Sequence, residues 1–343
     1  MRLPKAICEW RIWAFLSVAS LTAVLGLSCG ARPPCPQAPP PSLLVDQPPG
    51  AQAPAGGAAE GRPRTVVRQV NHVMDFGPFS LEVDATDGGR IVAFSLDGRS
   101  AVVSSTESPS AYGSSIWPSP QRDWQWPPPP AFDQLPWNTR VEDTTLVLES
   151  ATDDKLQLAA EQRLTADPDA QLLRIDITLM NRGPNPRRVA PWQNTRVRPG
   201  GLTFYPSSRP AYERSSLKLE PQDGIVWFEH DPAKYRENLK LYGDGEEGWL
   251  AHVDGDLILV KTFPDVPEAL QAPEEGEIIL YVDGSGGFVE VEQQGAYSEL
   301  GAGASKTWPV RWILRRVPDG VVVEPGSSGL VRFAREVVAA GAS

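Results

Sequence analysis

Four of the eleven tryptophans fall within residues 117–137. The densest stretch reads Ser115-Ile116-Trp117-Pro118-Ser119-Pro120-Gln121-Arg122-Asp123-Trp124-Gln125-Trp126 and runs into four prolines at 127–130. Flat indole faces stack on the C–H faces of a sugar ring, and Gln121, Arg122 and Asp123 carry groups that bond hydroxyls. Proline at this density predicts a stiff loop and argues against a central strand. Such a loop either presents Trp117 and Trp126 to a ligand or folds its own indoles onto the body as a lid. A second constellation is Phe288-Val289-Glu290-Val291-Glu292-Gln293-Gln294. Strand alternation places Glu290 and Glu292 on one face, about 7 Å apart, with Val289 and Val291 on the other. In a cleft one carboxylate could serve as a general base; on an open surface the pair is a solvated strand face.

Other reactive side chains are sparse. Lys240, in Lys240-Leu241-Tyr242-Gly243, is a candidate ligand for a sugar acid or phosphate, with a solvated lysine as the alternative. His72, His230 and His252 fall in no acid motif and read as surface or packed imidazoles. Asp244-Gly245-Glu246-Glu247 and Asp254-Gly255-Asp256 lack the ligand spacing of an EF-hand and read as turns, so no metal and no cofactor is expected. Cys8, Cys29 and Cys35 are the only cysteines, so everything past residue 35 lacks a thiol for a disulfide, a zinc site or a nucleophile. With 32 Lys+Arg against 43 Asp+Glu, the net charge of −11 opposes a broad grip on phosphate backbones, and nucleic acid is not an expected partner.

The elements that must position these residues are strands. Across the 343 residues, 41% hydrophobic content suffices for a core, while 35 Pro and 30 Gly exclude a mostly helical protein. Leu173, Ile175, Ile177 and Leu179 alternate with Arg174, Asp176 and Thr178, up to a turn at Asn181-Arg182-Gly183-Pro184. Similar runs cover 79–84, 90–96, 145–149, 155–164, 225–229, 257–263, 277–282, 288–293 and 307–317, many separated by Asp-Gly turns. About a dozen strands almost without helix predict an all-β fold, a large sandwich of antiparallel sheets. No 40–50-residue self-similarity supports a propeller. At the carboxyl end Leu330, Phe333, Ala334, Val337 and Val338 form a helical stripe after Ser327-Ser328, which predicts one short C-terminal helix packed on the sandwich.

The amino-terminal region reads as an export signal and a tether. Arg2, Lys5 and Arg11 precede an apolar run at 12–27, whose 16 residues fall short of the roughly 20 of a membrane span. Leu25-Gly26-Leu27-Ser28-Cys29 resembles a bacterial lipobox, which implies lipidation at Cys29; cleavage after Ala31, giving a soluble export product, is the alternative. Residues 29–64 are rich in Pro, Ala and Gly and too poor in apolar area to offset ordering entropy, so a disordered spacer is expected. The division is thus a signal at 1–28, a tether at 29–64 and a folded domain at 65–343. The expected location is the bacterial cell envelope, with the membrane contacted through the N-terminal lipid.

Further motifs carry a family resemblance. Val291-Glu292-Gln293-Gln294-Gly295-Ala296-Tyr297, then Leu300-Gly301-Ala302-Gly303-Ala304-Ser305 and a final strand from Trp308 to Arg315, resemble the closing segment of aldose 1-epimerases, the galactose mutarotases. Gly89-Arg90-Ile91-Val92-Ala93-Phe94-Ser95-Leu96-Asp97-Gly98 resembles their opening strands. The ordered set Gly113 to Gln121, Ala190-Pro191-Trp192, Lys240 to Gly243, Gly248-Trp249-Leu250 and the Glu-x-Glu strand is similar to the mutarotase-like family called domain of unknown function 4380. The resemblance implies a galactose mutarotase-like β-supersandwich with a carbohydrate-sized groove. It lends Glu292 the role of the base that removes the anomeric hydroxyl proton, and assigns Trp117, Gln121, Arg122, Trp126, Trp192, Lys240 and Glu290 to the groove. One departure matters: the His-x-Tyr-Phe-Asn segment of the enzymes is replaced by Pro191-Trp192-Gln193-Asn194-Thr195, which has no imidazole to act as the acid. Carbohydrate binding without turnover is the expected function. The alternatives are an epimerase using Glu292 as base, and an envelope protein that keeps the sandwich as an interaction surface.

Overall fold

The computed structural model describes residues 64–68 and 71–342, so the expected signal, Cys29 and most of the tether lie outside the described residues. Two antiparallel sheets face each other. The first runs, edge to edge, through Arg64–Arg68, Asn71–Phe76, Phe79–Asp84, Arg90–Leu96, Ser114–Ser119, Arg187–Val197, Val289–Gln294, Ile278–Val282 and Leu239–Gly243. Two short strands, Arg99–Ser100 and Ser298–Leu300, pair with Arg90–Leu96 and Arg187–Val197. The second sheet orders Pro221–Gln222, Ile225–Glu229, Leu202–Pro206, Trp249–Asp254, Leu257–Thr262, Ser305–Arg316, Leu172–Asn181, Leu158–Asp167, Thr145–Glu149 and Asn138–Glu142. The fold is an all-β sandwich, as the period-two patterning predicts.

Local sequence explains most of the strands and the places where expectation and structure part. In Leu172–Asn181 the residues Leu173, Ile175, Ile177 and Leu179 are buried between the sheets and the alternate positions are more exposed. The strand expected from residue 155 starts instead at Leu158, because the Asp153 carboxylate accepts the amides of Lys155 and Leu156 and holds 153–157 in a turn. The larger correction concerns the tryptophan-rich segment. Ser114–Ser119 is an interior strand, fully buried, and the loop begins only at Pro120. Pro118 faces Pro191 across the pairing with Arg187–Val197. The Pro191 carbonyl accepts from Gly295 N on the far side of its strand, and the Pro118 carbonyl accepts from Trp124 Nε1. Backbone N and C=O of one strand residue point the same way, so neither proline stands where an N–H is needed between the two strands.

The outer face of the second sheet is closed by the helix Ser328–Gly341, whose first turn is capped by Ser327 Oγ accepting from Leu330 N. Leu330, Val331, Ala334 and Val337 bury against Phe204, Trp227, Trp249 and Ile313. Gly341 is the last residue of the helix; a Cβ there would stand 2.5 Å from Ile313, so the glycine permits close approach to the sheet. Among the described residues no helix is long and apolar enough to cross a membrane.

Between the sheets the apolar core is interrupted by one polar layer. Gln193 Oε1 accepts from Gln293 Nε2 at 2.6 Å and from Trp312 Nε1 at 3.0 Å. Lys261, fully buried, donates to Thr195 Oγ1 at 2.8 Å and to the Val291 carbonyl at 3.1 Å, 5.4 Å from the Trp312 ring centre. Burial pushes the Lys261 ammonium well below its ordinary 10.5, against the pull of Glu292. A lysine depressed by folding costs stability wherever the unfolded chain would hold its proton, so stability rises as pH climbs toward 10.5. Lys261→Met should therefore be more stable than the wild type at pH 7, with an advantage that shrinks as pH rises toward 10.5. Urea denaturation of both proteins across that range measures it, and a constant or reversed difference refutes the depression by burial.

Candidate functional site

Strand register assembles the site in rows across the outer face of the first sheet. Lys240 faces Tyr281, Tyr281 faces Glu290, and Glu290 faces Arg196. One row along, Tyr242 faces Ile279 and Ile279 faces Glu292. In the next row Trp192 lies between Gln294 and Trp117. Because side chains alternate, the face opposite this set is the one that carries Gln193, Thr195 and Gln293 into the inter-sheet layer. The turn Gln121–Asp123, Trp126, the prolines after it and the short helix Pro130–Asp133 then rise over the sheet as a wall.

These parts enclose a cavity of about 710 Å³. Seven residues expected at the groove line it: Trp117, Gln121, Trp126, Trp192, Lys240, Glu290 and Glu292. Arg122 does not; its guanidinium reaches out to Glu274 at 2.9 Å on the exposed side of the turn. That expectation is corrected. The indoles divide their roles. Trp117 and Trp192 form a buried floor, 3% and 1% exposed, set edge to face at 5.3 Å. Trp124 and Trp137 are packed into the body. Trp126 stands on the rim, 71% exposed and edge-on to Trp117 at 6.3 Å. The segment thus folds most of its own indoles away and leaves one large aromatic face to solvent.

Hydrogen bonds fix the floor. Trp117 Nε1 donates to Asp133 Oδ1 at 2.9 Å, and Trp192 Nε1 donates to Glu292 Oε2 at 2.5 Å. Asn194 Nδ2 approaches the other Glu292 oxygen at 3.4 Å. Glu290 is held by Arg196 Nε at 2.9 Å, and Arg196 also bonds Ser115 Oγ. Burial, reinforced by neighbouring Glu290, pushes the Glu292 carboxyl well above the usual carboxylate range. Burial works against the Lys240 charge, but the surrounding Glu292, Tyr242, Glu275 and Glu290 outweigh it and raise the ammonium, so Lys240 stays protonated. Ionising Glu292 is therefore harder than ionising an ordinary carboxyl, and a protonated lysine does not take up a further proton. The three histidines lie away from the cavity lining, and His230 and His252 are buried. Among the described residues no group of three His, Cys, Asp or Glu is arranged to hold a metal ion.

Several lining residues had no place in the sequence expectation: Arg90, Asp133, Arg196, Tyr242, Tyr281, Asp283 and Phe288. Arg196 and Tyr242 were within reach, since each follows an expected site residue at even spacing on the same strand. Arg90 and Asp133 join the site through the long-range ion pair between them, which no local pattern marks.

The architecture and the cavity define a galactose mutarotase-like sandwich. Similar solved structures include galactose mutarotase-like proteins from Lactobacillus casei, with a TM-score of 0.52 and 12% identity over 71% of this chain and 100% of that one, and from Clostridium acetobutylicum, with 0.51 and 9% over 75% and 99%. The Slr1438 protein of Synechocystis is similar at 0.52 and 13%, over 78% of this chain and all of that one. At these identities the likeness concerns the fold. The family Domain of unknown function (DUF4380) matches residues 118–315, more than half of the chain, and the chain belongs to that family. No curated protein matches it in sequence.

The Glu292 environment has a measurable consequence. Its carboxyl is raised by folding, so the stability it contributes is complete below about 4.5 and is lost as pH rises through the folded value. Glu292→Gln, which retains an acceptor for Trp192, should fold and gain on the wild type as pH increases above 4.5. Thermal melts of the two proteins between pH 4 and pH 8 give the comparison, and a variant that loses ground over that range contradicts it.

Proposed function

We propose that the protein is a carbohydrate-binding member of its family, taking a sugar ring into the cavity beneath Trp126 without turning it over. The observation that carries this reading is the state of Glu292. Its carboxyl is fully buried, pushed well above the usual carboxylate range by that burial, and already bonded to Trp192, whereas a mutarotase needs an ionised base and a separate acid. The remaining features favour a ring of sugar size: an exposed indole for stacking, and polar side chains on the sheet to bond hydroxyls. The names of the structural neighbours point the same way, toward galactose mutarotase-like proteins.

The reading includes export to the cell envelope and anchoring through lipid on Cys29, motivated by the charged, apolar and small-residue order of 1–29. A spacer from 29 to 64 has a stretched length on the order of 100 Å, enough to hold the cavity clear of a membrane surface.

Three outcomes are expected. Titration calorimetry with mono- and oligosaccharides should detect binding, and Trp126→Ala should weaken it by about tenfold, the value of one aromatic platform. Polarimetry on fresh glucose and galactose should show mutarotation no faster than in buffer; acceleration that disappears in Glu292→Gln would instead establish an epimerase. Metabolic labelling with palmitate in a bacterial host should mark the wild type and leave Cys29→Ser unlabelled, whereas equal labelling removes Cys29 from the account.

A further inference from the structure

The charge pairing inside the cavity is incomplete. Of its three cationic side chains, Arg90 pairs with Asp87 and Asp133, and Arg196 pairs with Glu290. Lys240 forms no salt bridge among the described residues. The acidic side chains of the lining are committed elsewhere. Asp133 and Glu290 serve the two arginines, and Asp283 caps its own turn through Ser285 and Gly287. Glu292 is fully buried and engaged by the Trp192 indole. The Lys240 ammonium is seated 5.0 Å from the Trp192 ring centre and 5.1 Å from that of Tyr242, which fixes its place and leaves it a positive charge to offer. In a chain of net charge −11, a half-buried cation that forms no salt bridge makes a local exception to the general repulsion of anions.

We propose that the cavity selects an acidic sugar, a hexuronate unit, and that Lys240 makes this selection by pairing with the sugar carboxylate. The proposal rests on the carbohydrate-binding reading above and specifies its ligand. A ring stacked near Trp126 leaves an exocyclic carboxylate to reach the ammonium. One lysine supplies one charge, which matches a carboxylate monoanion; a phosphate of nearly two charges would call for a second cation free of its own partner.

Calorimetry on the full chain with galacturonate and glucuronate, galactose and glucose, and glucose 6-phosphate tests this. The uronates should bind at least about tenfold tighter than the neutral sugars, the worth of one charge-assisted contact. Added salt should weaken only the uronates. Lys240→Met should remove the preference by lowering uronate affinity by a larger factor than neutral-sugar affinity, and Lys240→Arg should restore part of the preference. Equal affinity of the wild type for charged and neutral sugars overturns the proposal without needing any variant to fold. So does an equal loss for both classes in a Lys240→Met protein with an unchanged melting temperature. Preference for glucose 6-phosphate over the uronates overturns the carboxylate assignment. Binding of neutral sugars alone removes this inference and keeps the carbohydrate reading; no binding of any sugar removes both.

Discussion

The hydrogen bond from the Trp192 indole to Glu292 governs the rest of the site. It joins two neighbouring central strands through their side chains, sets the plane of the indole that floors the cavity, and stabilises a carboxyl that burial would otherwise make costly. With Glu292 engaged by the indole and Glu290 by Arg196, Lys240 forms a salt bridge with neither.

The strands that carry the site are polar on both faces. Arg187–Val197 sends Trp192, Asn194 and Arg196 toward the cavity and Gln193 and Thr195 toward the second sheet, where Gln293, Lys261 and Trp312 meet them. Two hydrogen-bonded layers back to back make the floor rigid, because each side chain has few orientations that satisfy its partners. The apolar clusters on either side, one between the sheets and one under the closing helix, supply the burial that offsets desolvation of this polar seam.

Much of this was legible in local sequence, and the exceptions have physical causes. Strand alternation is a two-residue property, so Glu290 and Glu292 could be assigned one face from Val289 and Val291 alone, and the 173–179 run could be assigned a core face. The closing helix followed from its apolar spacing and serine cap. Arg122 misled because a side chain in an exposed turn takes its direction from a partner far away in sequence, here Glu274. Arg90 and Asp133 were invisible for the same reason. The strand Ser114–Ser119 escapes a pattern that counts every proline as a lost donor, when the loss depends on which neighbour that donor would have faced.

The opposed prolines at 118 and 191 bear on more than strand count. Each is tolerated only while its nitrogen points away from the other strand. Sliding one strand past the other by a single residue would turn every side chain over and bring an imide to a position that demands a donor. Such a slip would carry Trp192 into the interior and Gln193 out to the cavity. The pair therefore acts as a ratchet pawl for the sheet: two residues without N–H groups that oppose every slip by an odd number of residues, the slips that would turn the floor away from the cavity.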